Sequence, residues 1–367
     1  MKTLRFRIPR PSGPCAVGTV THHWRDTDRP DVFTTDPDDR RELMVQIWYP
    51  APRLASATPA PYVPDADVLA PLAKLLNLPR FLLPCLERVT TNAIPSAPVA
   101  RGEQGFPVLI FSPGRAGYRQ HNTWQIEELV SHGYVVAALD HPHAVAGVRF
   151  PDGRLVPLDS RMLDHGFVDT VVPFLAQDAI FALDQLTALN HADPTGLLTG
   201  RLDVSRAGIF GLSLGGAVAA EACRQESRFR ACLPMDVWMP LSVVRSGLSQ
   251  PTMWITRDAA TMRREGWSQA DIDRTLTTIR AVFDTMTSHA YLVRVPDMYH
   301  LDFSDALLLS PPSRWLGVTG PIARNRAHDI LTAYSLAFFN RHLKDQLSAF
   351  DGLAERCPEA LVDTAGT

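Results

Sequence analysis

Seven short apolar runs recur along this chain, at residues 43–49, 108–111, 134–139, 207–210, 231–235, 252–256 and 291–295. Each is nearly continuous and rich in β-branched residues, the pattern of a strand buried on both faces. Helical patterns lie between them. Residues 122–131 follow the second run, 173–189 (PFLAQDAIFALDQLTAL) carry apolar side chains at helical spacing, 214–224 follow the fourth run, and 330–343 close the series. Strands alternating with helices predict an α/β chain whose mostly parallel sheet is covered on both faces. With 46% hydrophobic residues among 367, the chain has ample material for a large core, and one domain over 1–367 is the expectation.

Two segments break the alternation. Residues 65–89 (DADVLAPLAKLLNLPRFLLPCLERV) are very apolar and are cut by Pro71, Pro79 and Pro84. Residues 267–286, within an insertion around 259–287, read as an excursion helix. Both are expected as caps over the C-terminal edge of the sheet, where open α/β sheets bind ligands. A net charge of −3 and a pI of about 6.5 point away from nucleic acid as a partner. Charges interrupt the opening MKTLRFRIPRPSGP, and no uncharged stretch reaches the ~18 residues of a membrane span. A cytoplasmic location is therefore expected, with contact to a lipid surface less favoured. Cys15, Cys85, Cys223, Cys232 and Cys357 form no C-x-x-C pair and read as mostly buried thiols.

The fourth run leads into Gly211-Leu-Ser-Leu-Gly-Gly216, and a helical pattern follows. A phosphate-binding loop fails here because Ala217 stands where lysine is required. A dinucleotide-binding turn fails because Leu212-Ser213 breaks the glycine spacing. G-x-S-x-G fits, with a strand before it and a helix after it. That turn lifts a serine off the sheet and places it at a helix N-terminus, where free N–H groups favour developing negative charge. Ser213 is thus a candidate nucleophile.

A serine hydroxyl needs a base and an orienting acid. In this architecture they follow the serine in the order acid, then histidine. His300 lies just past the last strand, at the C-terminal edge, and is the expected base. His289 precedes that strand, at the opposite edge; His328 and His342 fall in the closing helix and are expected at the surface. Asp236 and Asp258 each follow a strand directly, and topology alone leaves both open as the acid. His141-Pro142-His143 has no further ligand at metal spacing, so no metal is expected there, and a serine nucleophile with its base and acid requires no metal or organic cofactor. Trp124, Trp238, Met239 and Tyr299 are expected to line an apolar pocket.

Several stretches carry a resemblance. RFRACLPMDVWMPL, YHLDFSD and PVLIFSPGRAGYRQ resemble segments of the plasma-type platelet-activating factor acetylhydrolases and their bacterial α/β-hydrolase relatives. The resemblance runs from Ile8 to Asp305, includes the apolar segment at 65–89, and places Asp236 at the family's interval of 23 positions after Ser213. It implies an α/β-hydrolase fold, a Ser213–Asp236–His300 triad, and an oxyanion hole made by the backbone N–H groups of Leu214 and Arg115. One departure is local: Ser112-Pro113-Gly114 stands where the family has Ser-His-Gly, followed by the cation Arg115. The resulting expectation is a serine esterase acting on small-molecule esters with short to medium acyl groups. An interfacial phospholipid acetylhydrolase or lipase is the alternative. A non-catalytic ligand binder of the same fold is a third reading, disfavoured by the intact order of Ser, Asp and His.

Overall fold

In the computed structural model, which describes residues 7–54, 57–70, 88–102, 105–305 and 317–366, all seven apolar runs are strands of one sheet. The strands are β1 (Ala16–Pro30), β2 (Arg40–Ala51), β3 (Ala93–Pro95), β4 (Phe106–Ser112), β5 (Val135–Asp140), β6 (Gly147–Arg149), β7 (Leu155–Pro157), β8 (Leu202–Leu212), β9 (Phe229–Met235), β10 (Thr252–Thr256), β11 (Ala290–Arg294) and β12 (Leu361–Ala365). The helices are α1 (Thr123–Ser131), α2 (His165–Ala192), α3 (Leu214–Gln225), α4 (Leu241–Ser246), α5 (Ala259–Glu265), α6 (Gln269–Phe283), α7 (Arg324–Leu343) and α8 (Leu353–Arg356). Ten strands make the main sheet in the order β12-β11-β10-β9-β8-β4-β5-β2-β1-β3, and β6 pairs with β7 separately. The block from β11 to β5 is parallel, while β2 and β12 run antiparallel to their neighbours.

Parallel neighbours need a crossover, so helices cover both faces. On one face α2, α3 and α6 pack with Val108, Ile110 and Ile209; on the other α1 and α7 pack with Leu109, Phe111 and Phe210. Successive residues of β4 and β8 thus feed opposite cores, which is why these strands read as uninterrupted apolar runs. Helix α2 is long and apolar enough to cross a membrane by composition, yet Leu175, Ala179, Leu183 and Leu186 carry its inner side into the core.

The structure corrects one cap expectation. Helix α6 is the crossover between β10 and β11, and Ile279, Val282 and Phe283 join the core beside Trp254. At the sheet edge, α5 brings Glu265 to accept from the His300 backbone N–H at 3.0 Å. Of the other expected cap, residues 71–87 lie outside the described residues; its start forms a short 3₁₀ turn, Ala66–Leu69, capped by Asp65. Cys223, Cys232 and Cys357 are buried free thiols and Cys15 is half-buried; Cys85 lies outside the described residues.

Among the buried ionisable groups, one carboxyl on α1 adds its own pH dependence to the fold's stability. Glu127 on α1 is fully buried; it accepts from the Asn92 backbone N–H at 2.8 Å and from Asn92 Nδ2 at 2.7 Å. Burial raises its carboxyl, against those hydrogen bonds, to about 7. The folded chain then holds a proton that the unfolded chain releases from about pH 4.5 upward, so stability is lost as pH rises from there through about 7. A shift of this size corresponds to roughly 3 kcal/mol. Urea unfolding at pH 5 and pH 8 isolates this contribution when wild type is compared with Glu127→Gln: the variant is expected to shift the pH 5-to-8 stability difference by roughly 2–3 kcal/mol in favour of pH 8.

Candidate active site

The turn after β8 is held by close backbone packing. A Cβ on Gly211 would overlap the Gly215 carbonyl, and one on Gly215 would overlap the Ser112 carbonyl of β4. Between them Ser213 takes φ 56° and ψ −126°, a conformation that costs a non-glycine residue energy and persists only where the surroundings fix it. The fixing bonds run from Ser213 N–H to Met235 O at 2.9 Å, and from Gly216 and Ala217 N–H to Ser213 O at 2.8 and 3.2 Å. Ser213 is half-buried and occupies the N-cap position of α3.

Asp236 follows β9 at φ 45°, with its backbone N–H bonded to Ile255 O at 2.9 Å. The carboxylate is buried and receives His300 Nδ1 on Oδ2 at 2.6 Å. Thr256 Oγ1 and Arg257 Nε donate to Oδ1 at 3.1 and 3.0 Å. Burial would raise this carboxyl, but Arg257 and His300 outweigh it and hold the group at about 2. His300 opens a 3₁₀ turn, His300–Phe303, whose entry is fixed by Asp302 Oδ2 accepting from the backbone N–H groups of Tyr299 (2.7 Å) and Gly320 (2.8 Å). With Nδ1–H donated to Asp236, the ring keeps Nε2 as its acceptor nitrogen.

On the other side of Ser213 runs the loop after β4. A Cβ on Gly114 would lie 3.3 Å from Ser213 Cβ and 3.9 Å from its Oγ, so this loop passes directly beside the serine. The backbone N–H groups of Leu214 and Arg115 have no acceptor among the described residues. Arg115's side chain is not a freely solvated cation: it is half-buried and donates from Nη1 to Met162 O at 2.9 Å. Burial lowers its pKa.

Other sequence expectations are redistributed. Asp258 is not near the imidazole partner position; it is the N-cap of α5, accepting from Thr261 N–H at 2.7 Å. His328 is buried rather than at the surface, its ring stacked on Trp124 with centroids 4.2 Å apart, because it lies on the inward side of α7. His342 is half-buried too, within hydrogen-bond distance of Tyr291 OH at 3.1 Å, and burial lowers it to about 4. Met239 belongs to the core, where its Sδ accepts from Trp254 Nε1 at 3.2 Å, and Trp124 is 9% exposed; neither offers the open apolar wall expected of it. Trp238 is half-buried under the Arg274 guanidinium, and Tyr299 is 8% exposed beside His300. His141 spends both ring nitrogens on protein partners, Nε2 with Ser112 Oγ and Nδ1 with Asp178 Oδ2, each at 2.8 Å.

Two site residues escaped the sequence reading. Arg257 and Glu265 surround the Asp236–His300 pair, and the sequence offers only their position: Arg257 directly follows β10 at its C-terminal end. Nothing in a lone arginine announces burial beside a carboxylate.

A solved ferulic acid esterase from Streptomyces cinnamoneus superposes on 98% of this chain and 99% of its own, with a TM-score of 0.78 and 29% identity. Platelet-activating factor acetylhydrolase of Gallus gallus is 25% identical over 95% of this chain and 87% of its own length. A probable 1-alkyl-2-acetylglycerophosphocholine esterase of Arthroderma benhamiae is 26% identical over 94% and 89%. Together with the sheet order and the serine turn, these define a carboxylic ester hydrolase of the α/β-hydrolase fold. More narrowly, residues 2–150 and 187–361 match the model of the platelet-activating factor acetylhydrolase, isoform II, family, and the chain belongs to that family.

Proposed function

We propose that the chain is a serine esterase in which Ser213 is the nucleophile, His300 the general base and acid, and Asp236 the residue that orients the imidazole. The observation that carries this reading is the pairing of a positive-φ serine at a helix N-terminus with a histidine whose Nδ1 is bonded to a buried carboxylate at 2.6 Å. In the proposed cycle His300 Nε2 takes the Ser213 proton as Oγ attacks the ester carbonyl. The N–H groups of Leu214 and Arg115 receive the tetrahedral oxyanion. His300 then protonates the departing alcohol, and water repeats the sequence on the acyl-enzyme. The substrates proposed are small-molecule esters with short to medium acyl groups, acted on in the cytoplasm.

The relatives named for platelet-activating factor and for 1-alkyl-2-acetylglycerophosphocholine favour a second reading, hydrolysis of an acetylated phospholipid at an interface. A nitrophenyl ester series from acetate to palmitate, run beside a short-chain phospholipid, separates the two. The first reading expects a maximum at short to medium chains and no rate increase as the lipid passes its micelle threshold. A jump in rate at that threshold would replace it with the second.

A further inference from the structure

Arg257 is fully buried and sits between two carboxylates. Its Nε donates to Asp236 Oδ1 at 3.0 Å, its Nη2 lies 2.9 Å from Asp236 Oδ2, and its Nη1 pairs with Glu265 Oε2. The guanidinium lies over the Trp267 ring, 4.6 Å from its centroid, and that ring is 5.5 Å from the His300 ring. Glu265 completes a circuit, because its Oε1 accepts from the His300 backbone N–H at 3.0 Å. Charges therefore alternate through buried and half-buried contacts: Asp236, Arg257, Glu265, and back to the backbone of the histidine bonded to Asp236.

In a Ser–His–Asp arrangement the carboxylate both holds the imidazole tautomer and stabilises the imidazolium. A guanidinium on the same carboxylate helps the first task and opposes the second, since a nearby cation disfavours a second positive charge. We propose that Arg257 and Glu265 are an opposed pair of positioning residues that set the proton affinity of the Asp236–His300 couple, Arg257 lowering it and Glu265 restoring it. The proposal rests on the Ser213–Asp236–His300 reading. Its consequence is an enzyme whose base is free of its proton at lower pH than an Arg-free couple would allow.

The other ionisable groups around the couple are few. His121, before α1, is kept neutral by burial, at about 4. Asp302, on the same turn as His300, is raised by burial to about 6 and titrates in the range of interest. Arg264 pairs outward with Asp297.

The test is the acid limb of the pH profile, read from kcat/KM on a nitrophenyl ester and from the rate of Ser213 labelling by a fluorophosphonate. Arg257→Met is expected to move the limb up by about one pH unit, and Glu265→Gln to move it down by a similar amount. Arg257→Lys, which keeps the charge without the fork, is expected to return the limb toward wild type while kcat stays lowered. The opposed shifts are expected to persist in an Asp302→Asn background, which removes the other group titrating there. Limbs that coincide with wild type, that move in the same direction, or whose opposition vanishes in that background overturn the proposal. Should Arg257→Met fail to fold, Glu265→Gln decides alone, and an unmoved or raised limb overturns it. Wild-type protein that is not labelled defeats the underlying serine-esterase reading instead, so the two failures are distinguishable.

Discussion

Ser213→Ala is expected to lower kcat by about 10⁶-fold and to abolish labelling by a fluorophosphonate, with the thermal midpoint nearly unchanged. The size follows from the role. Without Oγ no acyl-enzyme forms, and only the oxyanion donors and binding remain to assist water. The fold is spared because the bonds that hold the turn are made by backbone: Ser213 N–H to Met235 O, and Ser213 O to Gly216 and Ala217 N–H. Alanine retains the Cβ that packs by Gly114 and accepts the same positive φ at similar cost. The measurements are burst kinetics, intact-protein mass after the probe, and a melting curve. A labelled Ser213→Ala protein would sink the assignment.

The second large effect is Asp236→Asn, with about 10⁴-fold lost in kcat and a parallel loss of stability. An amide at this position turns the imidazole toward the wrong tautomer. It also removes the negative charge beside the fully buried Arg257 guanidinium, leaving Glu265 as its counter-ion among the described residues. Breaking one side of a buried ion pair costs about 3–5 kcal/mol, so the melting point falls as well. Asp258→Asn is the matched control. Its side chain caps α5, asparagine caps equally well, and both activity and melting point are expected to stay at wild-type values. Loss of activity in the Asp258 variant with retention in the Asp236 variant would reverse the assignment.

The parallel half of the sheet was legible because a strand buried on both faces must be apolar at every position, as in Val108–Phe111 and Ala207–Phe210. Strand β1 was not legible. Beyond Thr21 its residues are exposed or half-buried except for Trp24, and His22, His23, Arg25 and Asp26 dilute the apolar signal. Strand β12 is a mostly exposed edge with a single partner, and its sequence carries little to mark it. Helix α6 was misplaced because amphipathic spacing says that one side is buried, not against what. At the site, the serine turn was legible from spacing plus strand-helix context. The choice between Asp236 and Asp258 was not, since both follow a strand at the same edge; the resemblance to a family favoured Asp236, and in the structure Asp236 Oδ2 lies 2.6 Å from His300 Nδ1 while Asp258 caps α5. Arg257 stayed hidden because its partners are 21 residues before it and 8 residues after it, and only the fold brings them together.

The bonds around His141 bear on how constellations of this kind are searched for. Ser112, His141 and Asp178 form a row with Ser–His and His–Asp separations of 2.8 Å each. A template match on residue types and distances would return it as a catalytic hit. Yet Ser112 and Asp178 are completely shielded from solvent, and Ser112 ends an extended strand with no positive φ. Burial would raise the Asp178 carboxyl, but Arg41 and Arg29 both pair with it and outweigh that effect, holding it well below the usual carboxylate range. The row is a rivet: it pins the end of β4, whose carbonyl packs against Gly215 in the turn of the half-buried Ser213. The same three residue types therefore occur in this fold as masonry at Ser112, His141 and Asp178 and again at the proposed site of Ser213, His300 and Asp236. What separates the two is the reversal of the chain at the serine, so a search that scores backbone torsion and access alongside distance would return one hit from this protein.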